Sequence, residues 1–231
     1  MNITVAKFDP SVDVARHDET YEVPFKEHMT ALEAMVYIHE NCEDLAFDYY
    51  CRGRVCGRCA IMLDGEPCLA CVASLTDENH TLEPLSGLPV VRDLVVDRHG
   101  LHGRLSVMRK RVKATNATAE EALAPMDPGR YLKAESLEWC ARCGVCNASC
   151  PALQATPGSF VGPAGMVAIA SRYYDDLDGA ARVLQAVQEG LFNCLMCGKC
   201  DEVCSALEID HLGIWAELRA EAQERGIAPQ E

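Results

Sequence analysis

The sequence lacks the segments that would place a protein in or across a membrane. No apolar run approaches the roughly 18 residues that a spanning helix needs. The start, Met1–Lys7, has neither a basic region nor an apolar stretch, so we expect no signal peptide. The sequence predicts a cytoplasmic chain with no direct membrane span, which reaches the inner face of a membrane only through another subunit.

Binding and catalytic motifs of several common kinds are also missing. The chain has no Gly-x-Gly-x-x-Gly or Gly-x4-Gly-Lys loop, so we expect no FAD and no nucleotide on it. No acid–base pair or nucleophile stands out, and we predict no catalytic residue. The formal net charge is −14, and an acidic surface repels phosphate backbones and anionic lipid headgroups. We therefore expect no nucleic acid and no bilayer among the partners.

Cysteine, in contrast, is abundant, with fourteen among 231 residues. Hydrophobic residues make up 49%, which excludes a disordered chain. In a reducing compartment, dense cysteine indicates metal sites more often than disulfides. The spacing of the cysteines then indicates which metal.

Eight cysteines form two units with the same C-x2-C-x2-C-x3-C spacing. In such a unit the first three thiolates bind one cubane cluster, and the fourth binds the other cluster of the pair. Zinc is the alternative, but its ligand pairs rarely occur as a run of three followed by a fourth cysteine. The spacing predicts one [4Fe–4S] cluster on Cys140, Cys143, Cys146 and Cys204, and a second on Cys150, Cys194, Cys197 and Cys200.

An earlier motif has a different spacing. Cys51-x4-Cys56-x2-Cys59 is the plant-type arrangement for a [2Fe–2S] cluster, which needs a distant fourth cysteine. Cys68 and Cys71 are both candidates, and we expect both on one strand. Being three apart they would face opposite sides of it, so only one can be a ligand. Cys42 lies outside every motif and is predicted to be a small buried apolar residue.

The first hundred residues predict a mixture of strands and one helix. Apolar and polar residues alternate over Ile3–Ala6 and again over Tyr21–Phe25, a pattern typical of half-buried strands. Thr30 and Glu33 have the spacing of a capping box and predict the start of a helix. Asp64-Gly65 predicts a hairpin turn.

Beyond about residue 100 the pattern predicts helices. The segment Leu105–Val112 carries part of a basic cluster that runs from Arg104 to Lys113, which either docks an acidic partner or is a solvated helix face. Residues 113–129 predict a linker. Further helices are predicted from Pro163 to Tyr174, from Ala180 to Glu189 and after Asp210 as an N-cap.

A plant-type motif followed by two bacterial-type motifs resembles the iron–sulfur subunit of succinate dehydrogenase and fumarate reductase. Cys51-Arg-Gly-Arg-Val-Cys56-Gly-Arg-Cys59, Val91-Arg-Asp-Leu-Val-Val-Asp97 and Phe160-Val-Gly-Pro-Ala-Gly165 are similar to family segments, and the match runs from about Ile3 to Leu218. The family's eleven-residue gap after the first motif implies Cys71 rather than Cys68 as the fourth ligand.

The resemblance implies an α+β fold with two domains. Residues 1–100 would form a plant-ferredoxin-like β-grasp domain, and residues 101–231 an all-helical bacterial-ferredoxin-like domain. It also implies a partner flavoprotein whose FAD interconverts succinate and fumarate. The [2Fe–2S] cluster would lie nearest the flavin, the cluster with Cys140 in the middle, and the cluster with Cys194 at the distal end.

Two departures set this sequence apart from the usual membrane enzymes of the family. Cys197 supplies a further thiolate where those enzymes hold a three-iron cluster, which predicts a second [4Fe–4S] cluster. The family's tryptophan pair and histidine at the quinone are replaced by Ala152–Gln154 and Leu195. Both departures resemble the non-classical type E enzymes and the thiol-linked fumarate reductases of methanogens. In those enzymes the electron acceptor is a cysteine-rich subunit of the heterodisulfide-reductase type. The resemblance implies such an acceptor subunit for this chain, with a membrane-associated acceptor subunit as the alternative.

Two other functions remain open at this point. The same relay could serve a flavoenzyme with a different small-acid or enoate substrate, because substrate choice lies in the partner. Alternatively, the chain could be a free ferredoxin-type carrier. Its length of 231 residues argues against a simple carrier.

Overall fold

The computed structural model describes residues 1–112, 127–206 and 209–227. They form two compact units. The first comprises residues 1–100 together with 143–149, and the second comprises the described part of 101–142 and 150–231. The boundary after residue 100 stays a prediction. The predicted linker lies outside the described residues, apart from residues 127–129.

The first unit is built on a mixed five-stranded sheet. Its strands are β1 (Asn2–Lys7), β2 (His17–Glu22), β3 (Ala60–Leu63), β4 (Glu66–Leu69) and β5 (His80–Pro84), and a short ribbon follows with β6 (Val90–Arg92) and β7 (Val95–Val96). The sheet order is β2-β1-β5-β3-β4, in which β1 and β5 are parallel and the other pairs antiparallel. Ile3, Val5 and Leu82 are fully buried in the core.

Helix α1 (Ala31–Asn41) begins at the predicted capping box. The Glu33 N–H donates to Thr30 Oγ1 at 3.3 Å, and the Thr30 N–H donates to Glu33 Oε2 at 2.7 Å. These bonds satisfy N–H groups that have no partner inside the helix. The helix buries Met35 and Ile38. Cys42 caps its C-terminus and is exposed, so the prediction of a buried Cys42 is wrong; the buried face ends one turn earlier.

The predicted hairpin turn is confirmed, whereas the second predicted strand is displaced. Asp64 and Gly65 connect β3 to β4 with φ of 52° and 82°, the left-handed values that a two-residue hairpin loop needs. Strand β2 ends at Glu22 rather than continuing through Phe25. The reason is its register: Glu22 already pairs with Asn2, the first residue of β1.

The described part of the second unit contains helices and no strand. Its elements are α2 (His99–Met108), α3 (Pro128–Glu138), α5 (Pro151–Ala155), α6 (Pro163–Tyr173), α7 (Arg182–Gln188), a 3₁₀ turn (Leu191–Asn193), α8 (Lys199–Glu202) and α9 (His211–Glu224), while α4 (Val145–Ala148) belongs to the first unit. Every residue of α6 from Pro163 to Ser171 is buried, so this helix is central to the unit. The predicted caps are confirmed: Pro163 begins α6, and Asp210 accepts from the Gly213 N–H at 2.8 Å.

The described part of the basic cluster extends past the end of a helix. Helix α2 ends at Met108, so the residues that follow are not on a helix face. Arg109 pairs with Glu138, and Arg111 Nε lies 2.6 Å from Asp175 Oδ2. Each of these two arginines thus has an acidic partner within the second unit, and the docking and solvated-face interpretations of the cluster stay predictions.

Candidate metal centres

The first cysteine loop surrounds its sulfur atoms with backbone N–H groups. The Cys56 and Gly53 N–H groups donate to Cys51 Sγ at 3.3 and 3.4 Å, and the Cys51 N–H donates to Cys56 Sγ at 3.5 Å. Arg52 and Arg54 adopt left-handed φ values of 55° and 53°. A left-handed backbone conformation costs free energy for any residue that has a side chain. Here it directs successive backbone N–H groups into one concave nest. A nest of this kind favours an anionic sulfur.

We expect Cys51 to be alkylated severalfold faster than Cys42 in the cluster-free chain at pH 7. The Gly53 and Cys56 N–H groups lower the pKa of the exposed Cys51 thiol to about 7. Since the thiolate is the nucleophile, the rate should rise through pH 7 and level off above it. Cys42, which is also exposed and lies outside the loop, is the control. Iodoacetamide labelling with mass spectrometry measures both rates, and equal rates would show that these hydrogen bonds do not form without the cluster.

Cys59 lies against Cys71 beside this loop. Burial raises the pKa of the Cys59 thiol to about 12, and the N–H and thiol of Cys71 both form hydrogen bonds with Cys59. A protonated thiol must lose its proton before it binds iron. The charge of Cys56 also acts on Cys59. The structure therefore places the four cysteines that the family resemblance implies close together: Cys51, Cys56, Cys59 and Cys71.

Cys68 is placed differently from Cys71. It lies on β4, and burial, followed by the nearby negative charge of Asp64, raises the pKa of its thiol to about 12. The expectation that both cysteines share one strand is wrong. Strand β4 ends at Leu69, opposite the first residue of β3, so Cys71 lies in the turn that follows and is free of the strand's alternation.

Cys71→Ser is expected to remove most of the [2Fe–2S] signal, whereas Cys68→Ser should retain it. Serine cannot supply the sulfur ligand at position 71, and the Cys68 thiol has no described bond to Cys59. Electron paramagnetic resonance of the reduced protein, with iron analysis, measures the outcome. The two serine variants control for each other, and the reverse result would exchange the two assignments.

The two bacterial-type motifs share one backbone conformation. Arg142 and Met196, one residue before the second cysteine of each motif, have φ of 55° and 53°. Gly144 and Gly198 have φ of 86° and 81° and begin the four-residue helices α4 and α8. The Met196 N–H donates to Cys194 Sγ at 3.4 Å, and the Arg142 N–H makes the same bond to Cys140. The sequence repeat is thus also a structural repeat.

Four cysteines of the second unit line one cavity: Cys150, Cys194, Cys197 and Cys200. Burial raises the pKa of the Cys200 thiol to about 12, with the Asp201 charge as the next cause. Burial also raises the pKa of Cys150, and the charges of Cys194 and Cys197 act in the same direction. Four thiols facing one apolar space fit a cubane cluster, which takes one thiolate at each iron.

The remaining four cysteines are divided between the units. In the second unit, burial raises the pKa of the Cys204 thiol, and the charge of Cys140 contributes, so these two sulfur atoms are neighbours. Cys143 and Cys146 belong to the first unit. Their joint ligand set with Cys140 and Cys204 stays a prediction.

Two polar residues that the sequence analysis did not identify support the cysteines of the second unit. The Asp201 carboxylate accepts from the His211 N–H and Nδ1, both at 2.7 Å, and this ties α8 to the start of α9. Arg219 donates to the Leu191 and Cys194 carbonyls at 2.9 and 2.6 Å. Neither contact follows a helical or strand period, so no local pattern could have indicated it. Cys200, Asp201 and His211 lie close enough to hold a metal ion, but Cys200 also lines the cavity that four cysteines share.

Within the described ranges, each helix is too short or too polar to cross a bilayer.

Comparison with protein-family models assigns both halves of the chain. Residues 2–103 match a 2Fe-2S iron-sulfur cluster binding domain, and residues 136–207 match a 4Fe-4S dicluster domain. The cysteine loop and the two repeats described above fall inside these ranges. The chain therefore contains a [2Fe–2S] domain and a [4Fe–4S] domain, and the predicted α+β fold is confirmed.

Curated relatives resemble the chain over most of its length. It is 36% identical to a fumarate reductase (CoM/CoB) polypeptide of Methanothermobacter marburgensis, over 99% of this chain but only 46% of that protein. It is 32% identical to the fumarate reductase iron-sulfur subunit of Escherichia coli O157:H7, over 88% of this chain and 86% of that protein. The chain thus spans less than half of the first relative and most of the second.

A solved structure shares the fold. A chain of the Mycobacterium smegmatis Sdh1 complex in the apo form matches all of this chain and 98% of its own, with a TM-score of 0.83 and 22% identity. The fold, the two matched domains and the relatives agree. The chain belongs to the succinate dehydrogenase and fumarate reductase family of iron–sulfur subunits, and its role is electron transfer.

Proposed function

We propose that this chain relays single electrons through three clusters, between FAD on a partner flavoprotein and a distal acceptor subunit. The flavoprotein would interconvert succinate and fumarate. The observation that carries the proposal is the convergence of four thiols on one cavity in the second unit, at the end of a repeat whose two copies have the same backbone. A single-cluster carrier needs no such repeat.

The proposed ligand sets follow the cysteine spacing and the contacts described above. Each iron–sulfur cluster, when bound, accepts and releases one electron at a time, which splits two-electron flavin chemistry into single steps. The cysteines hold the clusters, and the surrounding N–H groups stabilise negative charge on their sulfurs. The sets are Cys51, Cys56, Cys59 and Cys71 for [2Fe–2S]; Cys140, Cys143, Cys146 and Cys204 for the middle [4Fe–4S]; and Cys150, Cys194, Cys197 and Cys200 for the distal [4Fe–4S].

The surface around the first loop suits a flavoprotein partner. Tyr50 and Val55 are 83% and 65% exposed in the loop region, next to the exposed arginines Arg52 and Arg54. Exposed aromatic and apolar side chains together with arginine are typical of protein interfaces. On a chain of net charge −14, this basic area would recognise an acidic surface.

The distal acceptor that we propose is a cysteine-rich subunit of the heterodisulfide-reductase type. Leu195, 65% exposed, occupies the place of the family's quinone-contacting histidine, and Cys197 supplies the thiolate for a fourth iron. The CoM/CoB designation of the Methanothermobacter relative supports a thiol-linked acceptor. Any association with the inner face of a membrane would come from such a further subunit.

The proposal is tested on the native complex, isolated anaerobically through a tag on this chain. We expect an FAD-bearing partner, viologen-linked fumarate reduction and succinate oxidation. Cys59→Ser should abolish the activity, and Cys42→Ser, outside every motif, should retain it. A flavoprotein partner with neither activity would favour the alternative in which the partner flavoenzyme acts on another small acid or enoate. Elution near 25.3 kDa with no partner would favour a free carrier, and co-purification with a membrane anchor that carries two haems would contradict the proposed acceptor.

A further inference from the structure

Arg98 is a buried arginine that joins two cysteine motifs within the first unit. Its side chain donates to the Gly57 carbonyl at 2.8 Å, the Arg58 carbonyl at 3.1 Å and the Ala60 carbonyl at 3.3 Å. It also donates to the carbonyl of Cys143 at 3.1 Å. One guanidinium therefore holds both sides of Cys59 and the backbone of a cysteine from the second motif.

The charge of Arg98 has no acidic partner among the described residues. The residue is 6% exposed, and its contacts are all to neutral carbonyls. The carboxylate of Asp48 acts on Arg98 through its charge but pairs with Arg58 at 3.8 Å. A buried charge without a counter-charge is costly. The thiols of Cys143 and Cys59 also lie near the guanidinium, and each becomes an anionic thiolate when it binds iron.

A hydrogen-bond donor of Arg98 without a partner is a second observation that suits a nearby anionic group. Arg98 Nε–H is buried and has no hydrogen-bond partner in the described part of the chain. Buried donors are nearly always satisfied, so this N–H is available to a group that the polypeptide itself does not supply. An iron–sulfur cluster carries net negative charge on its sulfides and thiolates and accepts hydrogen bonds there.

We propose that Arg98 is a shared positioning residue for the first two clusters. Its positive charge raises the reduction potentials of both the [2Fe–2S] cluster and the cubane that Cys143 helps to hold, because a cation stabilises the more negative, reduced state. Its four hydrogen bonds fix residues 57–60 against Cys143. The inference rests on the proposed ligand sets and not on the identity of the substrate.

Spectroscopic titration of the purified complex tests this role. Arg98→Met removes the charge at similar length, and we expect at least a tenfold shift of each reduction equilibrium towards the oxidised form, equal to about 59 mV for one electron. Both the [2Fe–2S] signal and the signal of the cubane with Cys143 should shift, while the cluster on Cys150 and Cys194 should not. Arg98→Lys retains the charge, so the reduction equilibrium constant of each cluster should stay within about threefold of the wild-type value.

Two controls separate charge from folding. Arg16→Met removes an exposed arginine next to the opposite edge strand β2 and should change no potential. If Arg98→Met loads no iron, Arg98→Gln replaces it, since glutamine is neutral but still donates hydrogen bonds. A fully loaded neutral variant with unchanged potentials would overturn the proposal, as would an equal shift of all three clusters. A wild-type chain without clusters would instead refute the proposed function.

Discussion

Cys197→Ser is expected to convert the distal cluster from four irons to three. Cys150 and Cys200 are each 7% exposed and Cys194 is half-buried, whereas Cys197 is exposed, so its corner of the cavity is the most open to solvent. Serine binds iron more weakly than a thiolate does, and an iron held at an exposed corner is the easiest to lose. The remaining three cysteines would then hold a three-iron cluster.

The conversion has two measurable consequences. The oxidised variant should show the paramagnetic signal of a three-iron cluster and lose about one iron per chain relative to the wild type. Its distal potential should rise, and each tenfold change in the one-electron equilibrium corresponds to about 59 mV. Cys42→Ser, at another exposed cysteine, should change neither quantity. An unaltered cubane signal in the Cys197 variant would remove this residue from the ligand set.

Asp93→Ala is expected to destabilise the first unit by about 3–5 kcal/mol. Asp93 is 1% exposed and accepts from the Phe8 N–H at 3.0 Å, the Ala46 N–H at 2.8 Å and Lys7 Nζ at 3.4 Å. Lys7 Nζ in turn donates to the Asp44 carbonyl at 2.7 Å. Removing the carboxylate leaves a buried ammonium and two partly buried N–H groups without their acceptor, and each lost partner has a cost.

Denaturant unfolding of the cluster-loaded protein, followed by far-ultraviolet circular dichroism, measures the effect. Asp93→Asn should cost less, because asparagine keeps one acceptor oxygen and tolerates the left-handed backbone at this position, where φ is 45°. Asp18→Ala removes an exposed carboxylate from β2 and should stay within about 0.5 kcal/mol of the wild type. Equal midpoints for the Asp93→Ala and Asp18→Ala variants would show that the buried contacts contribute little.

Local features of the fold were predictable because they depend on neighbouring residues alone. The capping box at Thr30, the hairpin at Asp64-Gly65, the proline that begins α6 and the Asp210 cap are all confirmed. Each is a short-range hydrogen bond or backbone angle that particular residue types favour in almost any context. The ends of β2 and β4 were less predictable, since a strand ends where its partner ends.

For the candidate sites, too, local spacing was informative and longer-range placement was not. The spacing within each motif indicated which cysteines can share a cluster, because three residues of a tight loop limit where their sulfur atoms lie. The choice between Cys68 and Cys71 came from the family resemblance alone, and the structure adds a physical reason: Cys71 lies past the end of β4 and contacts Cys59.

The sequence by itself determined the class of cofactor and the order of the motifs. Only the tertiary structure decided where Arg98 and Asp93 direct their charges. Arg98 reaches Cys143, 45 positions away, and Asp93 reaches Phe8, 85 positions away. No periodic pattern encodes contacts at such separations, because they exist only once distant elements pack and desolvate the charge between them.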